Sequence, residues 1–232
     1  MSGKVIGILG GMGPLATADL FTKITAHTAA SCDQEHPRVC IDSNTDIPDR
    51  TAALLHGGAD PVPEMVKSAR RLESIGADLI IMPCNTAHNF HDSVARSVGI
   101  PVLHMIALTR DALRVRGVKR AGLLATDGTV RTGIYQRTFD GSGIELLVPE
   151  EDEQAAVMDA IYNGVKAGNR SYDASGLRRT CESLLARGAE TLILGCTELP
   201  PAFELYRLDY PAVDPTLELA LAAIRAAGHE TV

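Results

Sequence analysis

The sequence is poor in aromatic residues and has no concentration of positive charge. It contains no tryptophan, four phenylalanines and five tyrosines, and 29 acidic residues outnumber 22 lysines and arginines for a formal net charge of −7. Nucleic-acid binding normally requires a basic patch or stripe on the protein surface. The composition therefore argues against a nucleic acid as partner.

Long hydrophobic runs are also missing. The first 14 residues, MSGKVIGILGGMGP, contain an apolar stretch that is too short and too broken by glycine for a signal peptide or a membrane span. Later apolar runs are also too short to cross a membrane. We therefore expect no membrane partner and a cytoplasmic location.

The five cysteines do not form the patterns of a zinc ribbon or a thioredoxin-type motif, because no CxxC pair occurs. Their odd number, without a secretory signal, predicts reduced thiols rather than a disulfide framework. We expect Cys32, Cys40 and Cys181 to be structural, as small apolar side chains. Cys84 and Cys196 stand out because each follows a predicted strand.

Short apolar segments alternate with amphipathic ones, which is typical of an α/β fold with parallel sheets and helices on both faces. The predicted strands are Val5–Leu9, Val39–Asp42, Leu79–Met82, Pro101–Met105, Ala121–Ala125, Ile144–Val148, Leu192–Leu194 and Pro211–Asp214. The predicted helices include Leu15–Ala29, Pro61–Ile75, Thr86–Val98, Glu151–Ala167 and Leu177–Arg187.

The chain also repeats itself. RLESIGADLIIMPCNT (71–86) resembles SLLARGAETLILGCT (183–197), with the two cysteines 112 residues apart (196 − 84). VIGILGG (5–11) and PVLHM (101–105) have counterparts at similar offsets in RAGLLAT (120–126) and PAVDP (211–215). We therefore predict two pseudo-symmetric α/β domains, comprising residues 1–105 with 210–232, and 106–209. Ligands of open α/β sheets bind outside the carboxyl ends of strands, so we expect an active site in a cleft between the domains.

One thiol on each side of a substrate carbon is the arrangement that cofactor-independent racemisation needs. One thiolate removes a proton while the opposing thiol returns one, and a free thiol titrates near enough to neutrality for both roles. Asn85, Thr86 and Thr197 follow the cysteines and are candidate donors to the substrate, although simple helix capping is an equally ordinary role for such residues.

A glycine-rich loop, Gly10-Gly11-Met12-Gly13-Pro14, follows the first predicted strand. Its backbone N–H groups could approach a carboxylate, which makes Gly11 a candidate supporting residue. The loop fits neither the dinucleotide-binding GxGxxG pattern nor the P-loop.

Seven segments resemble the aspartate racemase branch of the aspartate/glutamate racemase superfamily. They are GILGGMGPLATADLF (7–21), DQEHP (33–37), IPDRTA (47–52), DLIIMPCNTAH (78–88), GLLATDGT (122–129), DEQAAVMDAIYNGVKAGN (152–169) and GCTEL (195–199). The resemblance implies a homodimer of two-domain subunits and no cofactor. It also implies catalysis by both cysteines, without pyridoxal phosphate, on an acidic amino acid, either aspartate or also glutamate.

The resemblance further assigns substrate-binding residues. It implies that Arg50 and Lys166 bind the carboxylates of the substrate and that Met12 and Thr129 line the site. From the residues alone, Arg50 and Lys166 could equally be solvated surface charges.

The chain departs from typical glutamate racemases at two places. Gly10 and Gly11 replace an aspartate in the first loop, and Glu198 replaces the histidine of the GCTH motif, which disfavours a role in supplying D-glutamate to cell walls. Glu198 is a candidate supporting residue that either orients its neighbours or makes a structural hydrogen bond. Asp127 stands where the aspartate racemase pattern has threonine, a difference that could alter substrate preference.

Other interpretations remain open. Cys84, His88 and His91 have a spacing that could suggest zinc, but three ligands on one helix fit awkwardly around a metal ion, and we expect none. His104 is expected in the core. A cis–trans isomerase acting on maleate with Cys84 as nucleophile, or a non-catalytic module binding a small dicarboxylate, are the alternative functions.

Overall fold

The computed structural model describes residues 3–232. The chain divides into two compact units, Met1–Leu108 with Thr216–Val232, and Thr109–Pro215. These divisions lie three and six residues from the predicted ones (108 − 105 and 216 − 210).

Seven strands and eleven α-helices are described within residues 3–232. The strands are β1 (Ile6–Gly10), β2 (Val39–Ser43), β3 (Leu79–Ile81), β4 (Arg120–Ala125), β5 (Glu145–Leu147), β6 (Thr191–Gly195) and β7 (Ala212–Val213). The helices are α1 (Pro14–His27), α2 (Arg50–Leu55), α3 (Val62–Ser74), α4 (His91–Ala95), α5 (Met105–Val115), α6 (Asp127–Arg131), α7 (Ile134–Phe139), α8 (Glu151–Asp159), α9 (Ser175–Ala186), α10 (Leu199–Leu205) and α11 (Pro215–Ala226). Asp33–Glu35 and Thr86–Phe90 are 3₁₀-helices, and Ala160–Lys166 is a π-helix.

The first unit is built on a parallel sheet with the order β2-β1-β3. Successive side chains of a strand point to opposite faces, and both faces of this sheet are covered. Ile6 and Ile8 belong to one apolar cluster, with Leu20 of α1 and Leu219 of α11. Leu9 belongs to a second cluster, which includes Met65, Ala69 and Leu72 of α3. This arrangement explains why β1 is apolar at nearly every position.

The second unit has a parallel sheet with the order β5-β4-β6-β7. Its main cluster joins Leu124 and Leu192 of the sheet to Val157 of α8, Leu184 of α9 and Phe203 of α10. In both units the first strand lies in the middle, the second beside it, and the third on its other side. The predicted α/β class with parallel sheets and flanking helices is confirmed, and the sequence repeat corresponds to a repeat of strand order.

The predicted strand at 101–105 is wrong in extent. Only an isolated parallel bridge joins Val102 to Ile80, through bonds of 2.8 Å from Ile80 N–H to Pro101 O and 2.9 Å from Leu103 N–H to Ile80 O. The N–H of Met105 is bonded instead by the His88 ring, and the chain turns into α5 there. Met105 therefore begins a helix rather than ending a strand.

Two predicted helices also differ in type. The segment 86–98 forms a 3₁₀-helix followed by the short α4, and 151–167 changes from α-helix to π-helix at Ala160. Gly164 in the π-helix packs so closely that an added Cβ would lie 2.8 Å from the Tyr206 hydroxyl and 3.3 Å from the Tyr172 ring. The contact is made by residues distant in sequence, which explains why local periodicity did not predict it. Across residues 3–232, helices long and apolar enough to span a bilayer are absent.

Candidate active site

The first candidate thiol, Cys84, lies in the loop that follows β3. It is 8% exposed and belongs to the same apolar cluster as Leu9, Met12 and Ile47. Its N–H donates to the carbonyl of Met82 over 3.0 Å, which turns the chain sharply after the strand. Parallel strands end on the same edge of a sheet, so the loops after β1 and β3 lie side by side. The fold thus brings Met12 and Cys84 together.

Asn85 and Thr86 continue the Cys84 loop, are 4% and 8% exposed, and begin the 3₁₀-helix Thr86–Phe90. Within the described chain, the Asn85 side chain makes no capping bond to this helix. Asn85 therefore does not cap this helix with its side chain, although the sequence left that role open.

The loop after β1 needs glycine at position 11. Gly11 has φ +88°, a conformation that L side chains rarely adopt, and an added Cβ would lie 2.2 Å from the Asn44 carbonyl oxygen. Its N–H donates to Thr17 Oγ1 over 2.9 Å, which ties the loop to α1. Met12, next in the chain, is 4% exposed. Glycine at position 11 therefore lets the backbone of this loop approach the backbone of Asn44 closely.

Arg50 is the first residue of α2, which Asp49 caps by accepting a 2.7 Å bond from the N–H of Ala52. Its Nη1 donates to the carbonyls of Ile47 (3.2 Å) and Pro48 (2.9 Å), so the guanidinium is held against its own turn. Its Nε is buried without a hydrogen-bond partner among the described residues. A fixed cation with an unused donor is suited to binding a carboxylate.

The second candidate thiol, Cys196, directly follows β6 and is 8% exposed. It donates a hydrogen bond to the Glu198 carboxylate, with Sγ 2.9 Å from Oε2, and the Thr197 hydroxyl donates to the same oxygen over 3.2 Å. Burial raises the pKa of Cys196 well above its usual value, and the charge and hydrogen bond of Glu198 raise it further. Cys196 is thus held as a thiol with a proton acceptor in contact.

Lys166 ends the π-helix. Its Nζ lies 3.8 Å from Glu198 Oε1 and 4.6 Å from the centre of the Tyr162 ring. Its side chain is 42% exposed, so the ion pair is open to water and to competing anions. The structure therefore joins Lys166, Glu198 and Cys196 in one chain of polar contacts.

Thr129 lies within α6 and is fully buried, with its hydroxyl 3.3 Å from that of Thr126. Asp127, at the start of α6, accepts a 2.9 Å bond from Gln154 Nε2, which also donates to the Ala125 carbonyl over 2.9 Å. The Asp127 carboxylate therefore has a defined orientation. Sequence reasoning missed Gln154, because its partners lie nearly thirty residues away (154 − 125 = 29).

Three histidines of the first unit pack against one another. The ring centres are 5.9 Å apart for His88 and His91, 5.0 Å for His88 and His104, and 4.6 Å for His91 and His104. His91 Nε2 is 2.9 Å from the Val102 carbonyl, and half-buried His104 accepts at Nδ1 from the Ala107 N–H over 3.3 Å. Over residues 3–232, no group of three or more His, Cys, Asp or Glu side chains could hold a metal ion.

All five cysteines are thiols rather than disulfides. The predicted site residues divide between the units, with Gly11, Met12, Arg50, Cys84, Asn85 and Thr86 in the first and Thr129, Lys166, Cys196, Thr197 and Glu198 in the second. In each unit these residues lie in the loops after the carboxyl ends of the strands or in the helices next to those loops. Each unit therefore contains one of the two candidate thiols and one of the two candidate cations.

Comparison with known proteins identifies the family of the chain. The sequence profile of the Asp/Glu/hydantoin racemase family matches residues 9–223. A broad-specificity amino-acid racemase, RacX of Bacillus subtilis (strain 168), is 26% identical over 95% of this chain and 96% of its own.

Solved structures agree with that match. The aspartate racemase of Picrophilus torridus superimposes with a TM-score of 0.84 at 35% identity, covering 99% of this chain and 96% of its own. An aspartate racemase homologue from Pyrococcus horikoshii OT3 gives 0.79 at 26% identity, with 98% and 99% coverage. A glutamate racemase from Francisella tularensis in complex with D-glutamate, at 17% identity and TM-score 0.69 over 97% of this chain and 81% of its own, shares the fold.

Proposed function

The chain belongs to the Asp/Glu/hydantoin racemase family, and from that premise we propose that it racemises an acidic amino acid with two cysteines and no cofactor. The observation that carries the proposal is the equivalent position of the two thiols. Cys84 follows β3 and Cys196 follows β6, and each of these strands neighbours the central strand in a sheet of the same order. Two matched acid–base groups are what inversion at one carbon requires.

Aspartate is the proposed substrate, with glutamate as a further one. The 35% identity to an aspartate racemase supports this choice, and so do the cations at Arg50 and Lys166. In the proposal, the guanidinium of Arg50 holds one substrate carboxylate with the help of its unused Nε donor. Lys166 exchanges its water-exposed contact with Glu198 for the other carboxylate.

The state of Cys196 suggests how the proton is handled. As a thiol, Cys196 donates its proton to the substrate carbanion while Cys84, as thiolate, has removed the α-proton from the other face. In the reverse direction Cys196 must become the base. Glu198 Oε2, 2.9 Å from Sγ, accepts its proton, so that the thiolate forms as the carboxyl becomes neutral, and Cys84 takes up a proton from water before it acts as the acid. Burial of the site limits competing proton exchange with water.

The test is racemisation by single cysteine variants. Cys84→Ala and Cys196→Ala should each abolish the interconversion of L- and D-aspartate, measured by chiral chromatography, while the folded structure is retained by circular dichroism. Cys32→Ala is the matched control, since Cys32 is an exposed thiol outside the site, and it should keep full activity. Near-normal turnover by either Cys84→Ala or Cys196→Ala would contradict the mechanism.

Incubation of the wild type in deuterated water defines the reaction. A racemase incorporates deuterium at Cα of aspartate, whereas a maleate isomerase or a binding module does not. A panel of D- and L-amino acids assayed in the same way establishes the preference between aspartate and glutamate. Absence of α-exchange with every amino acid would overturn the proposed function.

A further inference from the structure

His88 is a buried residue that joins the Cys84 loop to the start of α5. It lies four residues after Cys84 in the 3₁₀-helix Thr86–Phe90 and is 3% exposed. Its Nδ1 is 2.8 Å from the Cys84 carbonyl oxygen, and its Nε2 accepts the N–H of Met105 over 3.0 Å. A backbone N–H can only donate, so Nε2 must be the bare nitrogen and Nδ1 carries the proton that the Cys84 carbonyl accepts.

The groups around the ring keep it neutral. Burial, together with the neighbouring His104 and His91 rings, lowers the pKa of His88 to about 3, against the opposing effects of backbone hydrogen bonding with Cys84 and Leu103. The side chains of His91 and His104 are the titratable groups that pack on it. The donor to Cys84 and the acceptor for Met105 therefore persist throughout the neutral range.

We propose that His88 is a positioning residue for Cys84, and that its Nδ1–H holds the Cys84 carbonyl so that the thiol keeps its catalytic orientation. The proposal rests on the proposed function. The carbonyl that His88 holds belongs to the residue that bears the thiol, so rotation of this peptide would redirect the Cα–Cβ bond of Cys84. A displacement of about 1 Å at a reacting group can cost about a hundredfold in rate.

Two substitutions separate the two hydrogen bonds. In His88→Asn the amide nitrogen can take the place of Nδ1 and keep the donor to Cys84, while the acceptor for Met105 is lost. In His88→Gln the amide oxygen can take the place of Nε2 and keep the acceptor for Met105, while the donor to Cys84 is lost. A structural role alone predicts similar effects of both, because each loses one buried hydrogen bond.

The expected results differ between the variants. His88→Gln should lower kcat for aspartate by about tenfold or more, whereas His88→Asn should stay within about threefold of wild type. His91→Asn is the matched control. His91, the first residue of the adjoining helix α4, loses its bond to the Val102 carbonyl, and kcat should change little. Equal kcat losses in His88→Asn and His88→Gln would overturn the proposal.

A second measurement does not depend on activity. Alkylation of Cys84 by iodoacetamide, followed by mass spectrometry and normalised to Cys196, should change by about threefold or more in His88→Gln and remain near wild type in His88→Asn. Absence of α-exchange in the wild type would refute the proposed function, whereas an unchanged Cys84 labelling ratio in His88→Gln would refute the positioning role itself.

The wild type provides a check that requires no substitution. ¹⁵N NMR of the imidazole nitrogens at neutral pH should identify His88 as the Nδ1–H tautomer. Observation of the Nε2–H tautomer or of a charged ring would overturn the proposal, because neither matches an accepting Nε2.

Discussion

Glu198→Gln is the substitution that most directly tests the role of the second thiol. In the folded protein Glu198 Oε2 accepts a hydrogen bond from the Cys196 thiol, with Sγ 2.9 Å away. Lys166 Nζ lies 3.8 Å from Glu198 Oε1, the other oxygen of the same carboxylate. Glutamine preserves the size and an acceptor oxygen but removes the charge. It therefore cannot take the Cys196 proton when that cysteine must act as base.

The size of the effect follows from the bond that is lost. Hydrogen bonds to charged groups contribute about 1.5–3 kcal/mol, and about 1.36 kcal/mol corresponds to a factor of ten in rate. The loss thus corresponds to about 10- to 150-fold in kcat. The glutamine oxygen still accepts a weaker bond, which favours the lower part of this range, and we expect a decrease of about tenfold or more.

Thiol reactivity should change in the opposite direction. The charge and hydrogen bond of Glu198 both raise the pKa of Cys196, so their removal lowers that pKa towards its usual value, although burial continues to raise it. Cys196 in Glu198→Gln should then be alkylated faster than in wild type at pH 8, while racemisation is slower. Glu204→Gln, an equal charge change at an exposed position of α10, is the control and should alter neither rate.

Chiral chromatography gives the racemisation rate and peptide mass spectrometry gives the labelling rate of Cys196. Turnover within about twofold of wild type would refute the proton-acceptor role, since loss of that role should lower kcat by about tenfold or more. Slower alkylation of Cys196 would refute the assignment of its pKa shift to Glu198.

Three further predictions concern stability and binding. Gly11→Ala should lower the free energy of unfolding by about 2 kcal/mol or more in urea titrations, because Gly11 has a positive φ and its backbone lies close to Asn44. The control is Gly99→Ala at an exposed position, which should change the free energy of unfolding by less than about 0.5 kcal/mol. Equal losses in the two variants would contradict this explanation. The unfolded His88 ring takes up a proton below its usual pKa of 6.5 while the folded ring stays neutral to about 3, so stability should fall by about 1.4 kcal/mol per unit as pH drops from 6 to 4. His88→Asn should lack this part of the slope, and parallel profiles for the two proteins would show that His88 is not its source. Gly164→Ala should raise KM for aspartate about threefold or more, because the added Cβ meets the Tyr206 hydroxyl and displaces Lys166. Adding Tyr206→Phe removes that hydroxyl and should return KM towards the wild-type value. An unchanged KM in Gly164→Ala would argue against substrate binding by Lys166.

The parts of the fold that depend on local pattern were predictable from the sequence. Buried strands such as β1 and β6 are bounded by turn residues, and the repeat around Cys84 and Cys196 anticipated their equivalent places after β3 and β6. The prediction of a strand over 101–105 was wrong because an apolar run does not show how many of its residues can pair with a neighbouring strand. Only residues beside Val102 find partners on β3.

Contacts between distant residues were not predictable in the same way. The sequence predicted one helix over 151–167, whereas the structure changes to a π-helix at Ala160, where Gly164 packs against Tyr172 and Tyr206. The sequence predicted no metal ion at Cys84, His88 and His91, but it did not reveal that the His88 imidazole bonds a backbone carbonyl and an N–H 17 residues away. For Glu198 the sequence left two roles open, and the hydrogen bond to Cys196 appears only when the turn after β6 is folded.

The place of α11 has a consequence for the order in which the protein folds during synthesis. Leu219, Ala223 and Ile224 of this last helix pack with Ile6 and Ile8 of the first strand. The second unit, by contrast, is one continuous stretch, Thr109–Pro215. On the ribosome the later-made unit has all of its residues first, while the face of the earlier-made sheet that α1 covers in part lacks its second helix until Pro215–Ala226 has emerged. The unit that carries Cys196 therefore completes its core before the unit that carries Cys84.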